Sequence, residues 1–399
     1  MNIRYLQIDG DSKGFYTLVG ILVSFVLLAL GSVFVMEHNG HWISGMSNNI
    51  VWGMPHVFAI FLIVAASGAL NIASISSVFN KKLYKPLARF SGLVSLALLA
   101  GGLMVLVLDL GRPDRLIVAM TKYNFSSIFA WNIILYNGFF AIVGIYLWFQ
   151  FENKMQKYIP IAGMGAFLWR LILTTGTGSI FGFLVARQAY DAVIFAPMFI
   201  IMSFSFGLAI FLILLVGSYK FTERELGDVV VNRLRNLLGV FIGAVLYFVI
   251  IYHLGNLYLS ENTGVESFYL VSGGIYTQLF WLGQILLGSL VPLALLYCPR
   301  IKGYRTSTIL ASVFVILGGL IQLYLIIIGG QAYPLEIFQG KEIISEYRGI
   351  VTYIPSIYEI LLGLGGVAVA VLIVVFLIKI LPFLPESLAN KVADPHFKE

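Results

Sequence analysis

The chain has 399 residues, of which 59% are hydrophobic and only 11% are charged, and its mean hydropathy is +0.93. A soluble protein carries about a quarter charged residues, so this composition predicts an integral membrane protein and excludes a soluble enzyme. One cysteine, Cys298, cannot by itself build a disulfide, an iron–sulfur cluster or a cysteine-based zinc site. The net charge of +6 does not indicate nucleic acid as a partner, because its distribution along the sequence has another explanation.

Ten apolar stretches are each long enough to cross a bilayer, which takes about 20 residues. In chain order they occupy residues 14–36, 50–77, 88–108, 125–149, 159–185, 193–218, 236–258, 274–297, 306–329 and 356–381. We therefore predict an all-α integral membrane protein with one polytopic domain over residues 1–399 and no soluble domain. The longest outer loop, at about 330–355, could cap the outer face, dock a partner or simply be solvated.

The distribution of lysine and arginine predicts the orientation of these spans, because cytoplasmic loops carry an excess of both. With the N-terminus in the cytoplasm, 18 of the 25 basic residues fall inside and 6 fall outside. The outer six are Arg112, Arg115, Lys122, Arg187, Lys341 and Arg348. Arg170 completes the total and lies within the fifth span. Both termini are therefore predicted to be cytoplasmic.

The segment 108–115, LDLGRPDR, follows a charge-free apolar run and places Asp109 at the outer end of the third span. Ionisable groups at membrane depth are costly, usually paired and usually functional. The simpler alternative is a helix stop in which Asp109 and Arg112 form an interfacial ion pair.

Other polar residues also cluster at the outer ends of the spans, which predicts a polar-lined pocket near the outer leaflet. They are His56, Asp109, Asn132, Tyr136, Arg187, Tyr190, His253, Asn256 and Glu359. Arg170 lies deeper, and is either part of a proton route or an arginine that snorkels to the inner interface. His41 is expected to be solvated, and Trp52 to be an interfacial aromatic residue.

Three functions can use these residue types: quinone binding, haem ligation and transport. A quinone ring needs hydrogen-bond partners for its oxygens and a group that exchanges protons, which His56, Asp109, Asn132 and Tyr136 together supply. A b-type haem needs two facing histidines, and only His56 and His253 lie in spans, so at most one haem could be held. A secondary transporter would use broken helices, and the segment 174–179, TTGTGS, could be unwound or could be a packing face of small residues.

The segments 51–53 (VWG) and 108–115 resemble the NrfD/polysulfide-reductase membrane-subunit family, whose pattern is a Trp-Gly span entrance followed by an Asp-x-Gly-Arg span end. The ten spans resemble the longer branch of that family. The stretches 51–71, 108–133 and 173–192 look closest to DsrP, the membrane subunit of a sulfur-metabolism complex.

The resemblance implies two four-helix bundles, spans 2–5 and 6–9, flanked by spans 1 and 10. It implies a multi-pass subunit of the bacterial inner membrane, without haem or metal, that exchanges electrons between menaquinone or ubiquinone and its partner subunits. The partners would be a ferredoxin-like iron–sulfur subunit on the periplasmic face, a cytochrome and other membrane subunits. Asp109 and His56 would act on the ring and its protons, with Arg112, Asn132 and Tyr136 completing the quinone site. Arg170, Glu359 and His253 are candidates for a proton route.

Overall fold

A computed structural model describes residues 4–298, 303–335 and 349–393 of the protein. It contains ten helices that are long and apolar enough to cross a membrane, as predicted. They are α1 (Lys13–Asn39), α2 (Met54–Ser77), α3 (Lys82–Leu108), α4 (Ile128–Phe151), α5 (Asn153–Gly182), α6 (Phe195–Phe221), α7 (Asp228–Tyr258), α8 (Ile275–Tyr297), α9 (Tyr304–Ala332) and α10 (Ile357–Ile380). The protein is therefore an all-α, multi-pass membrane protein.

The structure differs from two local expectations. Helix α7 begins at Asp228 rather than near residue 236. Its first two turns contain charged residues, so the helix extends beyond the apolar stretch from which the span was predicted. The segment 174–179 is not unwound, since it lies within the continuous helix Ile159–Gly182. The alternative, a packing face of small residues, fits the structure. An unwound stretch was the feature that favoured a transporter, and the structure does not contain it at 174–179.

Helix α2 lies at the centre of the molecule, and 94% of its most apolar window is buried. Its sequence is apolar on all sides, which is what a helix surrounded by other helices requires. Helices α3, α6 and α10 pack against it, while α1 lies at the periphery against α10. Because α2 and α6 belong to different predicted bundles, the packing crosses the boundary between them, and the division into two bundles stays a prediction.

Two of the membrane helices contain π-helical segments. In α8 the segment Leu279–Leu290 is π-helical, and in α9 the segment Leu325–Gly329 is. Such segments widen the helix locally and occur often at functional sites. The side predicted to face away from the cytoplasm is called the outer side below. Its short helices are His41–Ile43, Pro113–Arg115, Leu116–Thr121, Ser260–Asn262, Thr263–Ser267 and Phe268–Ser272.

Two short strands near the ends of the described sequence meet on one side of the molecule. Strand β1 (Tyr5–Leu6) pairs antiparallel with β2 (Leu384–Pro385), and a short helix follows at Asn390–Ala393. Burial raises the pKa of the Tyr5 phenol, an effect that the nearby Arg89 opposes. The cytoplasmic assignment of this side stays a prediction, and five of the basic residues that were counted for it lie outside the described residues: Arg300, Lys302, Lys341, Arg348 and Lys398.

Candidate functional site

His56 and Asp109 come together at the outer ends of α2 and α3. The Nδ1 atom of His56 lies 3.1 Å from Oδ2 of Asp109, and the Asp109 side chain is only 1% exposed. Within the described part of the protein, neither carboxylate oxygen of Asp109 accepts an aligned hydrogen bond. The His56 side chain is 24% exposed although its Nδ1 is buried. The exposed part of the ring therefore lies away from Nδ1.

The turn after Asp109 depends on Gly111. Asp109 caps the C-terminus of α3, and Gly111 then takes a φ of +65°, a left-handed conformation that favours glycine. A Cβ at Gly111 would lie 3.1 Å from Nε2 of His41. His41 was predicted to be solvated, but it packs against this turn with a buried Nε2. A second imidazole therefore lies beside the Asp-x-Gly-Arg segment.

Trp52 is the centre of an aromatic cluster beside His56. Its ring stacks on the imidazole at a centroid distance of 6.3 Å and on Tyr190 at the same distance. Phe129 of α4 and Phe181 of α5 contact it edge-on at 5.9 and 5.8 Å. Trp52 therefore packs against the ends of α4 and α5 beside the start of α2, and its position at the membrane interface stays a prediction. Burial raises the pKa of the Tyr190 hydroxyl, which keeps that group protonated.

Gly53 is required by a close approach of α10. A Cβ at this position would lie 2.4 Å from Oε1 of Glu359 and 2.8 Å from the Tyr353 hydroxyl. The Tyr353 hydroxyl donates to Glu359 Oε1 at 2.6 Å and accepts from the Met54 N–H at 2.7 Å. Burial and the Glu359 carboxylate both raise the pKa of Tyr353. The absence of a side chain at Gly53 thus allows Tyr353 and Glu359 to pack against the start of α2.

Glu359 is used as a structural cap. Its Oε2 accepts from the N–H groups of Gly45 at 2.8 Å and Ser356 at 2.7 Å, and its own N–H donates to the Ser356 hydroxyl. This is a capping box at the start of α10. These contacts hold the backbone, so the geometry gives no reason to place Glu359 on a proton route.

The segment that precedes α2, residues 49–52, is hydrogen-bonded to α9 and to the loop between α5 and α6. Gln331 Oε1 accepts from the N–H groups of Val51 at 2.9 Å and Trp52 at 3.0 Å. Arg187 donates to the carbonyls of Gln331 at 2.9 Å and Asn49 at 2.8 Å. Arg187, one of the polar groups predicted at the outer face, thus holds the segment that carries Trp52, together with Gln331.

Asn132 and Tyr136 converge on α5 rather than on His56. Asn132 Nδ2 donates to the Gly176 carbonyl at 3.1 Å, and the Thr177 hydroxyl donates to Asn132 Oδ1 at 3.5 Å. The Tyr136 hydroxyl also contacts Thr177. Within residues 4–298, 303–335 and 349–393, no hydrogen bond or ion pair joins either residue to His56 or Asp109. The two residues form a buried polar layer close to the Trp52 cluster.

The alternative of an ion pair between Arg112 and Asp109 does not fit the structure. The Nε atom of Arg112 lies 3.4 Å from Asp114 Oδ1, and both side chains are about two-thirds exposed. Arg112 therefore pairs with a neighbouring exposed acid and does not hold the Asp109 carboxylate. The glycine turn at residue 111 separates the two side chains.

Arg170 is fully buried between α2, α5 and α6, with 1% of its surface exposed. It donates to Asn71 Oδ1 at 2.9 Å and lies over the rings of Phe167 and Phe204, about 5 Å from each. The snorkelling alternative was therefore wrong. Asn71 follows Leu70, where the helical assignment of α2 is interrupted, and its side chain supplies a carbonyl oxygen at the depth of the guanidinium.

A second histidine–carboxylate pair lies at the outer end of α7. His253 Nδ1 lies 2.7 Å from Oε2 of Glu266, which is fully buried. Asn256 Nδ2 donates to the other oxygen at 2.9 Å. His253 and His56 thus contact different carboxylates and belong to separate parts of the outer face. Glu266 was missed from the sequence, since it lies in a short polar segment between spans.

The protein has the architecture of a polytopic membrane subunit with a buried histidine–carboxylate pair at one face. Residues 42–334 match the family described as polysulphide reductase, NrfD. The protein belongs to this family, as the Trp-Gly and Asp-x-Gly-Arg segments predicted.

Three relatives span most of the sequence. It is 30% identical to an Hdr-like menaquinol oxidoreductase integral membrane subunit of Archaeoglobus fulgidus, over 99% of this protein and 100% of the relative. It is 26% identical to a putative dimethyl sulfoxide reductase membrane subunit of Halobacterium salinarum, over 91% and 90%. It is 24% identical to a polysulfide reductase chain of Wolinella succinogenes, over 72% and 96%.

Proposed function

We propose that this protein is the quinone-reactive membrane subunit of a multi-subunit oxidoreductase, with its reactive site at His56 and Asp109. The observation that carries the proposal is the buried Asp109 carboxylate, which has an imidazole 3.1 Å away and accepts no aligned hydrogen bond from the described residues. Such an under-coordinated pair is costly for folding alone and is typical of a site that exchanges protons.

His56 would exchange the proton of a ring oxygen. The Asp109 carboxylate, 3.1 Å from Nδ1, favours a proton on that nitrogen, so that Nε2 is the acceptor of the neutral imidazole; we assign this tautomer from the contact. Nε2 can then take a proton from a quinol hydroxyl, and Asp109 stabilises the imidazolium that results. In the opposite direction, the same Nε2–H donates a proton to a reduced ring oxygen. Oxidation of one quinol releases two protons and two electrons.

The electrons would leave through a partner subunit. A ferredoxin-like iron–sulfur subunit on the outer face, together with a cytochrome subunit, remains our proposal for the donor or acceptor. The ring of Trp52 stacks on His56, and the Trp52 cluster would offer flat apolar walls to a ligand ring beside it. Asn132 and Tyr136 would line the inner side of that space rather than contact His56 directly.

A menaquinone is the first ligand to test, because the relative from Archaeoglobus fulgidus is named for menaquinol. A role in sulfur metabolism and a particular likeness to DsrP also remain proposals. A proton route through Arg170 and His253 is a further proposal, supported by the burial of Arg170 and by the contact of the partly buried His253 with Glu266, whereas the contacts of Glu359 favour a structural role.

The test compares Asp109→Asn with Asp114→Asn in the complex purified from native membranes. Asp114 belongs to the same segment but is exposed, so it is a matched control. Loss of the charge at Asp109 should lower quinone-linked electron transfer about 100-fold, the usual contribution of acid–base catalysis. The control should stay within about twofold. Wild-type turnover in an assembled Asp109→Asn complex would contradict the proposal.

A further inference from the structure

His41 lies beside the turn that follows Asp109. It begins the short helix His41–Ile43, one residue after α1 ends. A Cβ added at Gly111 would lie 3.1 Å from Nε2 of His41 and 3.3 Å from its Cδ2. This edge of the imidazole therefore occupies the space that a side chain at residue 111 would need, and it packs on the backbone two residues after Asp109.

Buried polar atoms without a partner are concentrated around this turn. Among the residues that the structure describes, nine buried side-chain nitrogen or oxygen atoms make no aligned hydrogen bond. Four of the nine belong to His41, His56 and Asp109, and the other five are spread over five residues. Each such atom costs free energy, so a group of them on three titratable side chains is typical of a site that exchanges protons.

His41 also reaches the outer surface. Its side chain is 29% exposed although its Nε2 is buried, so the exposed part of the ring lies away from Nε2. Oε1 of Glu37, one turn earlier in the chain, lies 3.9 Å from this nitrogen, and the Glu37 side chain is 37% exposed. One edge of the imidazole is therefore against the Asp109 turn, and the ring has both open surface and a partly exposed carboxylate beside it.

Asp109 needs such a neighbour if it takes part in proton exchange. Its side chain is only 1% exposed, so a proton that reaches the carboxylate has almost no direct contact with outer water. A further group must carry the proton to the surface. An imidazole suits this task, because it can accept a proton at one ring nitrogen and release one from the other near neutral pH.

We propose that His41 is the proton relay between the His56–Asp109 pair and the outer water, an inference that rests on the proposed function. The proton that His56 takes from a quinol hydroxyl passes to Asp109 and then, through a bridging water, to Nε2 of His41. His41 releases one proton from its other ring nitrogen to the outer water beside Glu37. Each group returns to its earlier state, and no electron moves in these steps. His41 does not touch the ring and acts only through Asp109.

The test measures quinol-linked electron transfer in the purified complex that carries His41→Gln, with and without added imidazole. Glutamine keeps a polar side chain but cannot relay a proton at neutral pH, so turnover should fall about tenfold, less than the loss of about 100-fold expected at Asp109. Dissolved imidazole should restore most of the turnover, because it can carry the proton instead. The KM for quinol should not change.

His38→Gln is the matched control. His38 also lies at the end of α1, but it is exposed and stacks on Phe34 at a centroid distance of 6.0 Å. Turnover of this variant should stay within about twofold of the wild type, with or without imidazole. If His41→Gln does not assemble, His41→Ala removes the partly exposed ring, leaves space for imidazole and should give the same loss and the same recovery.

The relay and the proposed function can be separated in the same assay. Wild-type turnover of Asp109→Asn would contradict the proposed function. Loss at Asp109→Asn together with wild-type turnover of an assembled His41 variant would overturn only the relay. A loss at His41 that imidazole does not reverse would show that the ring merely packs against Gly111, and it would also overturn the relay.

Discussion

The two histidine–carboxylate pairs of this protein have the same chemical composition but different surroundings. At Glu266 both carboxylate oxygens are used, one by His253 and one by Asn256. At Asp109 neither oxygen accepts an aligned hydrogen bond from the described residues, and only the imidazole of His56 lies close. The difference teaches that a buried carboxylate can be a structural element or a reactive one according to how completely its lone pairs are occupied.

This comparison can be tested through stability, beginning with the largest expected effect. Glu266→Leu removes the acceptor of two buried donors, on His253 and Asn256. Removal of one partner from a buried pair costs about 3 kcal/mol or more. The thermal midpoint of the purified complex should therefore fall clearly. An unchanged midpoint would show that the contacts at Glu266 contribute little.

A smaller loss of stability is expected at Glu359, which caps α10. Glu359→Gln replaces an oxygen that accepts from the backbone N–H groups of Gly45 and Ser356, so the cost should be about 2 kcal/mol. Glu386→Gln is the control, because Glu386 is half-exposed and lies 3.9 Å from Arg4. Equal thermal midpoints for the two variants would contradict the structural role of Glu359.

Asp109 should respond in the opposite way to Glu266. Because its oxygens have few partners, Asp109→Leu should change stability by less than about 1 kcal/mol, or even stabilise the protein, as replacement of a poorly compensated buried charge often does. The thermal midpoint should stay near that of the wild type while electron transfer is lost. A fall as large as that of Glu266→Leu would remove the distinction between the two pairs.

The smallest effect is expected at Arg112. Since its guanidinium is exposed and pairs with Asp114, Arg112→Gln should change turnover less than about twofold. The measurement is quinone-linked electron transfer, with Asp109→Asn alongside. A loss comparable to that of Asp109→Asn would restore the role that the sequence predicted for Arg112.

The spans could be predicted from the sequence because hydropathy directly reflects the cost of placing a residue in lipid. Helix α2, for example, is apolar on every side and is the buried centre of the molecule. The pairing of His56 with Asp109 followed from depth, as both residues lie at outer ends of spans. Depth does not give the facing of a helix, so Asn132 and Tyr136 were predicted near His56 although they contact α5.

The remaining features depend on long-range contacts that leave no local pattern. His41 is far from Gly111 in the sequence, and only the fold brings the two together. Glu266 lies in a polar segment that resembles an ordinary loop, yet it is fully buried. The glycine of the Trp-Gly pair could be recognised as a motif, but its reason, the approach of Tyr353 and Glu359, lies at the other end of the sequence.

The most direct test of the central claim is a structure of the purified complex with a bound short-chain menaquinone, determined by electron cryomicroscopy. The account predicts ring density beside Trp52, with one ring oxygen at a hydrogen-bond distance of about 2.6–3.2 Å from Nε2 of His56. A complex in which the ring occupies no space next to His56 and Asp109 would contradict it.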